Sequence, residues 1–271
     1  MRVDLHIHTT ASDGTWSPAE LIQEALKQNI GALAITDHDS VGNVAEAQRL
    51  AAAAGLRYLA GVELNSTKNG LNFHVLGYGL DIHNRALTEL MAHNIALMED
   101  VDVRCIQLLE QEGWSLSTQE FSHYSYDRSR GGFRALAYLI DKGLCRDVND
   151  FFQRIFTAEH QLCFPTFPSI SEVISTIHAA GGVALCAHAA SGFHGPGLNG
   201  VIDLLRPEAF DGFECFHSCH TEYDTNRLLE HCHKHKLLIS AGSDCHGSFV
   251  PTRFLGVPEV DSSQINLPGL I

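Results

Sequence analysis

The sequence predicts an α/β fold in which a parallel sheet closes into a barrel. Amphipathic helical segments alternate with short apolar segments in the first 80 residues, and the same alternation resumes after residue 165. Strands joined by helices run parallel, because each helix returns the chain to the same end of the sheet. The length of 271 residues allows either one barrel or two small domains, so the alternation is what favours the barrel.

The first strand is predicted within residues 3–8, where apolar and polar side chains alternate. Side chains two positions apart in a strand point to the same face, so His6 and His8 point the same way. The alternation also indicates that this first segment is part of the folded protein. We therefore expect no signal peptide before the barrel.

Helices and strands then follow one another along the rest of the predicted barrel. Ser17 is a suitable N-cap, Pro18 suits the first helical position and Glu20 completes a capping box, so a helix is expected from here to about Asn29. The remaining strands are predicted at 32–36, 58–64, 73–80, 183–188, 211–216 and 237–244, and the remaining helices at 43–54, 171–182 and 225–236.

The middle of the chain departs from this pattern. Between residues 83 and 165 helical segments follow one another at 85–113, 131–143 and 147–156, and no strand segment separates them. We expect a barrel built from residues 1–82 and 166–271, and a helical insert at 83–165 that acts as a lid over one end of it.

The charge and the cysteine pattern limit the classes of function. A formal charge of −14 argues against an extended nucleic-acid surface, because the field would repel a long polyanion. Seventeen histidines are many for this length and suggest bound metal. Eight cysteines without a C-x-x-C pair do not form a disulfide framework, and no segment is long enough to span a membrane. We expect a cytoplasmic protein.

Histidines and carboxylates fall at or near the ends of the predicted strands. The carboxyl ends of parallel strands meet at one mouth of a barrel, where active sites usually lie. Six imidazoles and three carboxylates exceed the needs of one ion, so two or three divalent ions are expected, roughly 3.5–4 Å apart. Ligands of mixed nitrogen and oxygen type suit Mn²⁺, Zn²⁺ or Fe²⁺, and we take Mn²⁺ as the first choice. The candidate ligands are His6, His8, Asp13, His38, Glu63, His74, His188, Asp244 and His246.

Four separated motifs resemble those of the PHP (polymerase and histidinol phosphatase) metallo-phosphoesterases. They are H-x-H at 6–8, T-D-H at 36–38, A-H at 187–188 and S-D-x-H at 243–246. The resemblance covers residues 1–80 and 166–271. It implies a distorted (β/α)7 barrel with a trinuclear metal site. By the same resemblance, one ion would bind His6, His8, Glu63 and Asp244, a second Glu63, His74 and His188, and a third Asp13, His38 and His246.

Within that family the chain is most similar to small nucleotide phosphatases and to relatives that trim RNA from the 5′ end. Those relatives commonly have Pro after the third-motif histidine, where this chain has Ala189. They also tend to have an arginine near the start of an inserted helix. The segment "RSRGGFR" offers Arg128, Arg130 and Arg134, of which Arg130 and Arg134 are the candidate phosphate-binding residues.

The predicted reaction is hydrolysis of a phosphomonoester, with a nucleotide such as a nucleoside 3′,5′-bisphosphate or a related small phosphate as substrate. A metal-activated water would attack phosphorus, and Asp244 is a candidate catalytic residue. The general acid is either His217 or a second metal-bound water. His217 and His220 are also candidate substrate-binding residues.

Three alternatives stay open. The first is a 5′-3′ exoribonuclease acting on short 5′-phosphorylated RNA. The second is amide or C–N hydrolysis, since amidohydrolase barrels also begin with H-x-H, although the early T-D-H and the late S-D-x-H speak against it. The third is a non-catalytic, metal-stabilised PHP module, which retention of all nine ligands disfavours.

Overall fold

A computed structural model, which describes residues 1–195 and 197–270, contains a nearly closed barrel of seven strands. The first strand joins the last, since the Leu5 N–H donates to the Ala241 carbonyl at 3.0 Å and Ile7 forms a parallel bridge with Cys245. This confirms the predicted α/β fold with a distorted barrel. The strands are β1 (Arg2–Asp4), β2 (Ile30–Ile35), β3 (Arg57–Lys68), β4 (Leu71–Tyr78), β5 (Val183–Cys186), β6 (Gly212–His217) and β7 (Leu238–Gly242), and β8 (Val260–Asp261) pairs with the outer edge of β1.

One barrel strand runs against the others, so the prediction of a wholly parallel sheet is wrong at β4. This strand is antiparallel to both β3 and β5. The cause is local, because only Asn69 and Gly70 connect β3 to β4, and both have positive φ, as a tight hairpin turn requires. His74 therefore lies near the start of its strand and still reaches the rim formed by the carboxyl ends of the parallel strands.

Helices pack around the barrel and form the middle of the chain. The predicted capping box is present, since the Ser17 backbone donates to Glu20 and the Glu20 backbone donates to the Ser17 hydroxyl. The helices are α1 (Pro18–Lys27), α2 (Val44–Ala53), α3 (Arg85–Gln111), α4 (Thr118–Ser122), α5 (Arg134–Asp141), α6 (Val148–Asp150), α7 (Ile170–Ala179), α8 (Leu198–Leu205) and α9 (Glu222–His235). In the described part of the chain, none is both long and apolar enough to cross a membrane.

The helices between β4 and α7 have a hydrophobic cluster of their own. Ile106, Phe121 and Leu136 belong to this cluster, whereas Leu87 near the start of α3 packs with the barrel core. The α5 N-terminus is tied to α3 because the Ala135 N–H donates to the buried Asp102 carboxyl at 3.1 Å. A separate core is compatible with an insert at 83–165, and that division remains a prediction.

Candidate metal centre

The first strand places two histidines inside the barrel. His6 and His8 follow β1 and are fully buried. The loop after them is held by the Asp37 carboxylate, which accepts hydrogen bonds from the Thr9 N–H at 2.7 Å and from the Ser12 hydroxyl at 2.6 Å. The T-D-H motif therefore has a structural role besides supplying His38, because its aspartate shapes the loop that leads to Asp13.

The first set of candidate ligands comes from β1, β3 and the segment after β7. Glu63 Oε2 lies 3.2 Å from Nε2 of both His6 and His8. Asp244 Oδ1 lies 3.1 Å from His8 Nε2 and 3.5 Å from His6 Nε2. Four ligand atoms thus converge from strands far apart in sequence, as the resemblance implied for the first ion.

The second set shares the Glu63 carboxylate with the first. Glu63 Oε1 lies 3.0 Å from His74 Nδ1 and 3.0 Å from His188 Nε2, and these two nitrogens are 3.3 Å apart. Because the two oxygens of one carboxylate face different sets, Glu63 is placed to bridge two cations. His188 reaches this position with Ala189 after it.

The third set lies around Asp13. Asp13 Oδ2 is 3.4 Å from His246 Nε2, and Asp13 Oδ1 is 3.6 Å from His8 Nδ1. His38 offers a ligand atom to this set and also places Nδ1 3.1 Å from Glu63 Oε2. The structure therefore brings all nine predicted ligands together, with His8 and His38 each close to two sets.

The cluster is most open to solvent on one side. The side chains of Asp13, His38 and His74 are 21%, 26% and 17% exposed, whereas those of His6, His8 and Glu63 are fully buried. A substrate would approach from the side that Asp13, His38 and His74 form.

Unpaired polar atoms test whether the cluster suits metal ions. Burying a polar atom without a partner is costly, so most buried polar atoms are hydrogen-bonded. Within residues 1–195 and 197–270, five atoms of the nine candidate ligands, and one atom of the neighbouring His217, are buried and have no hydrogen-bond partner. They are His6 Nε2, His8 Nε2, His38 Nδ1, Glu63 Oε2, His217 Nε2 and Asp244 Oδ1. Imidazole nitrogens and carboxylate oxygens aimed at a common space fit divalent cations.

Neighbouring groups fix which nitrogen of two histidines is free to bind metal. The His6 Nδ1–H donates to Glu214 Oε1 at 2.9 Å, which leaves the Nε2 lone pair facing Glu63 and Asp244. The His246 Nδ1–H donates to the Asp244 carbonyl at 2.8 Å, so Nε2 faces Asp13. Such outer partners orient metal-binding histidines in proteins generally.

A short relay orients His188 in the same way. The His194 Nδ1–H donates to the Asn72 carbonyl at 2.7 Å, so His194 Nε2 accepts from the His188 Nδ1–H at 3.1 Å. This leaves His188 Nε2 directed at Glu63. The other Glu214 oxygen accepts the His188 backbone N–H at 2.8 Å, so Glu214 supports two candidate ligands at once.

The charges of the cluster favour cations. Burial raises the pKa of Glu63, but the imidazoles of His6, His74 and His38 hold it well below its ordinary value. Burial likewise raises the pKa of Asp244, and His6 together with other neighbours lowers it far more. Burial lowers the pKa of His8, yet the Asp244 and Glu63 carboxylates raise it to about 10. The carboxylates are therefore ionised near neutral pH.

Two candidate ligands lie in strained backbone. His188 and Asp244 have φ values of 26° and 55°, a region that residues other than glycine rarely adopt. Each such residue costs about 1–3 kcal/mol and persists only where the surroundings enforce it. Strain at both positions is typical of a site in which side-chain direction matters more than local stability.

His217 and His220 lie at the end of β6 and in the turn after it. His217 Nδ1 accepts the Cys219 N–H at 3.0 Å, so the neutral ring holds its proton on Nε2, which is 3.4 Å from Asp244 Oδ2. His220 uses both nitrogens for protein contacts, donating to the Cys215 carbonyl and accepting the Ala190 N–H. His217 thus faces the cluster, whereas His220 supports the loops beside it.

The arginines of the insert have different surroundings. Arg130 forms a two-point ion pair with Asp141 at 2.8 and 3.1 Å. Arg134 donates to the carbonyls of Tyr124 and Phe121. These contacts engage both predicted phosphate-binding guanidinium groups away from the nine ligands, and their role stays a prediction.

The sequence analysis missed three residues that support the cluster. Glu214 and His194 orient ligands as described above, and Arg253 forms an ion pair with Asp244 Oδ2. The signal for Glu214 was present, since it is an acidic residue inside the apolar strand segment "GFECF". No spacing or motif in the sequence points to Arg253, which lies in the loop after the S-D-x-H motif.

Comparisons with known proteins identify the family of this chain. A 5′-3′ exoribonuclease of Haemophilus influenzae is 29% identical over 256 residues, covering 90% of each chain. A 3′,5′-nucleoside bisphosphate phosphatase of Chromobacterium violaceum is 28% identical, covering 90% of this chain and 87% of that protein. A crystal structure from Bifidobacterium adolescentis, named as a metal-dependent phosphoesterase, superimposes with a TM-score of 0.83 at 28% identity, covering 96% of this chain and 93% of that one. The PHP domain model matches residues 4–245, and the chain therefore belongs to the PHP domain family.

Proposed function

We propose that this protein is a metal-dependent phosphoesterase that binds two or three divalent ions through the nine ligands. The observation on which this rests is the convergence of nine side chains, five of which have a buried, unpaired ligand atom. Mn²⁺ is our first choice, and Zn²⁺ and Fe²⁺ also suit a set of imidazoles and carboxylates. When bound, such ions neutralise phosphate oxygens and lower the pKa of water.

The side chains of the site have separable roles in this proposal. Glu63 holds two ligand sets together, and Glu214 keeps the His6 proton on Nδ1. His217 holds a proton on Nε2 beside Asp244 and is our candidate for the general acid that protonates the leaving oxygen. Asp244 presents Oδ1 to His6 and His8 while Oδ2 contacts Arg253. Arg130, Arg134 and His220 remain candidate substrate-binding residues.

The proposed substrate is a phosphorylated nucleotide, such as a nucleoside 3′,5′-bisphosphate. The name of the Chromobacterium violaceum relative supports this class, and the formal charge of −14 favours small substrates over long polyanions. A cytoplasmic location suits such a substrate and eight cysteines that are all free thiols.

A second candidate function is 5′-3′ exoribonuclease activity on short 5′-phosphorylated RNA. The Haemophilus influenzae relative has that name, and its identity to this chain is similar to that of the phosphatase. Both reactions need ionised ligands around a phosphate, so the metal cluster alone does not choose between them.

One experiment separates the two functions and tests the proposal. Metal-loaded protein is given adenosine 3′,5′-bisphosphate and, separately, a 5′-phosphorylated oligoribonucleotide. Inorganic phosphate release from the first supports the phosphatase, and release of 5′-mononucleotides from the second supports the exoribonuclease. We expect Asp244→Ala to lower turnover by orders of magnitude, while Asp203→Ala, at an exposed residue of α8, leaves it unchanged. Wild-type protein that acts on neither substrate would overturn the proposal in favour of a non-catalytic module.

A further inference from the structure

A cationic groove runs between α8 and α9 on the outside of the barrel. It contains a cavity of about 270 Å³, close to the smallest pockets that bind small molecules, which measure roughly 300 Å³. The chain has a formal charge of −14, yet none of the described residues that line this cavity is acidic. The lining residues are Ile202, Arg206, Arg227, His231, Lys234 and His235.

The sequence of α9 places these basic side chains along one face of the helix. Arg227, His231 and Lys234 are three or four positions apart, so they follow one another along the helix surface. A neighbouring face of the helix packs on the barrel, because Leu228 and Cys232 are fully buried. The basic face is therefore presented to the groove while the apolar face holds the helix in place.

Two cations of the groove have no acidic partner within residues 1–195 and 197–270. Arg227 Nε donates to Asn199 Oδ1 at 2.9 Å, which orients the guanidinium, and no acidic side chain of that part of the chain forms an ion pair with Arg227 or Lys234. Burial lowers the pKa of His231, and the nearby cationic groups, beginning with His235, lower it further. The groove therefore has a positive potential that a bound anion would neutralise.

An apolar cavity adjoins the cationic one. It has a volume of about 140 Å³ and shares Arg206 and His231 with the larger cavity. The His231 ring stands at right angles to the Phe213 ring, with the ring centroids 5.4 Å apart. The acidic residue of its lining, Glu208, is paired with Lys68. The apolar lining residues are Ile202, Leu205, Phe210, Phe213 and Leu237. The groove thus offers cations directly beside an apolar surface.

The groove lies at the end of the barrel opposite the metal centre. Phe210 and Leu237 come shortly before β6 and β7, at the amino ends of these strands. His217 and Asp244 face the ligand cluster from the carboxyl ends of the same two strands. A ligand in the groove therefore leaves the metal centre open to substrate.

We propose that this groove is a second binding site, separate from the metal centre, for a nucleoside monophosphate. The cations bind the phosphate, because guanidinium and ammonium groups form strong hydrogen bonds with phosphate oxygens, and the apolar cavity receives the base. The choice of nucleotide rests on the proposed function, since both candidate reactions release nucleoside monophosphates. Two small adjoining cavities suit such a molecule better than a long polyanion.

The test measures binding of adenosine 5′-monophosphate to metal-loaded protein by calorimetry. Asp244→Ala is titrated beside the wild type, because this variant should not hydrolyse the nucleotide. We expect both proteins to bind it, and to bind inorganic phosphate or adenosine at least about tenfold more weakly. Arg227→Gln, made in both proteins, should raise the Kd of the nucleotide about tenfold, as loss of a charged hydrogen bond does, and Lys234→Gln should raise it less.

The matched control removes the same type of residue from another helix. Arg49 is exposed on α2, outside the groove, so Arg49→Gln should leave the Kd unchanged. Bound metal, thermal unfolding and kcat/KM should be the same in wild type, Arg227→Gln and Arg49→Gln, because none of these substitutions touches the metal centre or the core.

Three outcomes would overturn the inference and leave the proposed function intact. They are the absence of nucleotide binding in both wild type and Asp244→Ala, binding of inorganic phosphate as tight as that of the nucleotide, and equal Kd values in Arg227→Gln and Arg49→Gln. A wild type that hydrolyses neither adenosine 3′,5′-bisphosphate nor the oligoribonucleotide would instead refute the proposed function, while the calorimetry would still measure binding in the groove directly.

Discussion

Replacing Glu214 by Gln tests whether the protein fixes the protonation of its metal ligands. Glu214 is fully buried, and its two oxygens accept one hydrogen bond each, from the His6 Nδ1–H at 2.9 Å and from the His188 backbone N–H at 2.8 Å. Glutamine has almost the same shape but offers one oxygen and one NH₂ group. The NH₂ must therefore face a donor, either His188 N–H or His6 Nδ1–H.

Each orientation has a calculable cost. If the NH₂ faces the His188 N–H, two buried donors oppose each other, and an unsatisfied buried donor costs about 1–3 kcal/mol. If it faces His6, the ring must move its proton to Nε2, the atom aimed at Glu63 and Asp244. Loss of an outer partner of this kind usually weakens metal binding about 10–100-fold, which is about 1.4–2.8 kcal/mol. The first orientation lowers the free energy of unfolding and the second lowers metal affinity, so we expect a loss of about 1–3 kcal/mol in one of these two quantities.

The assay is competition for Zn²⁺ between the protein and a coloured chelator, with elemental analysis to count bound ions. Asp211→Asn is the matched control, because Asp211 precedes the same strand at its other end and accepts hydrogen bonds from the Ala184 N–H at 2.7 Å and from His178. This control should lower thermal stability without changing metal affinity. A Glu214→Gln protein that binds Zn²⁺ as tightly as wild type and unfolds at the same temperature would refute the reasoning.

Three further predictions concern packing, pH and metal removal. Gly242→Ala would place a Cβ 2.1 Å from the His6 Cβ, so thermal unfolding should show a loss of about 1–3 kcal/mol and bound metal should fall, whereas Gly192→Ala, which meets open space, should do neither. Burial raises the pKa of Asp102 to about 7, above its unfolded value, so the contribution of this carboxyl to the free energy of unfolding should fall by roughly 3 kcal/mol as pH rises from 4 to 7. In urea unfolding, the stability of Asp102→Asn should fall less than that of wild type over this pH range. Equal changes in the two proteins would contradict the prediction. Chelator treatment should lower the Tm, because an ion present at 100 times its Kd contributes about 2.7 kcal/mol to the free energy of unfolding. Added Mn²⁺ should restore the Tm, and a Tm that the chelator leaves unchanged would count against bound metal.

The candidate ligands could be found from the sequence because most lie in short motifs at strand ends. Strand alternation placed His6 and His8 on one face, and the parallel strands brought their carboxyl ends to one rim. The direction of β4 was also readable, since Asn69-Gly70 between two apolar segments is a strong hairpin signal. The alternation of helices and strands elsewhere outweighed that signal in the prediction. His74 still lies at the rim, because it is near the start of an antiparallel strand and not at the end of a parallel one.

The residues that the sequence did not reveal act through tertiary contacts. Arg253 meets Asp244 because of the path of the loop between them, which no periodicity describes. The sequence showed a cluster of arginines in the insert but not their partners. Arg130 is paired with Asp141 on the next helix, whereas no acidic side chain of residues 1–195 and 197–270 forms an ion pair with Arg128.

The pairing of β1 with the segment around β7 also affects how the protein is made. His6 and His8 leave the ribosome long before Asp244 and His246, which come from the other end of the barrel. A nascent chain that ends before residue 244 lacks ligands of two of the three candidate ligand sets. Translation that stops before these residues should therefore yield inert fragments, and hydrolysis should begin only once Asp244 and His246 have been added to the chain.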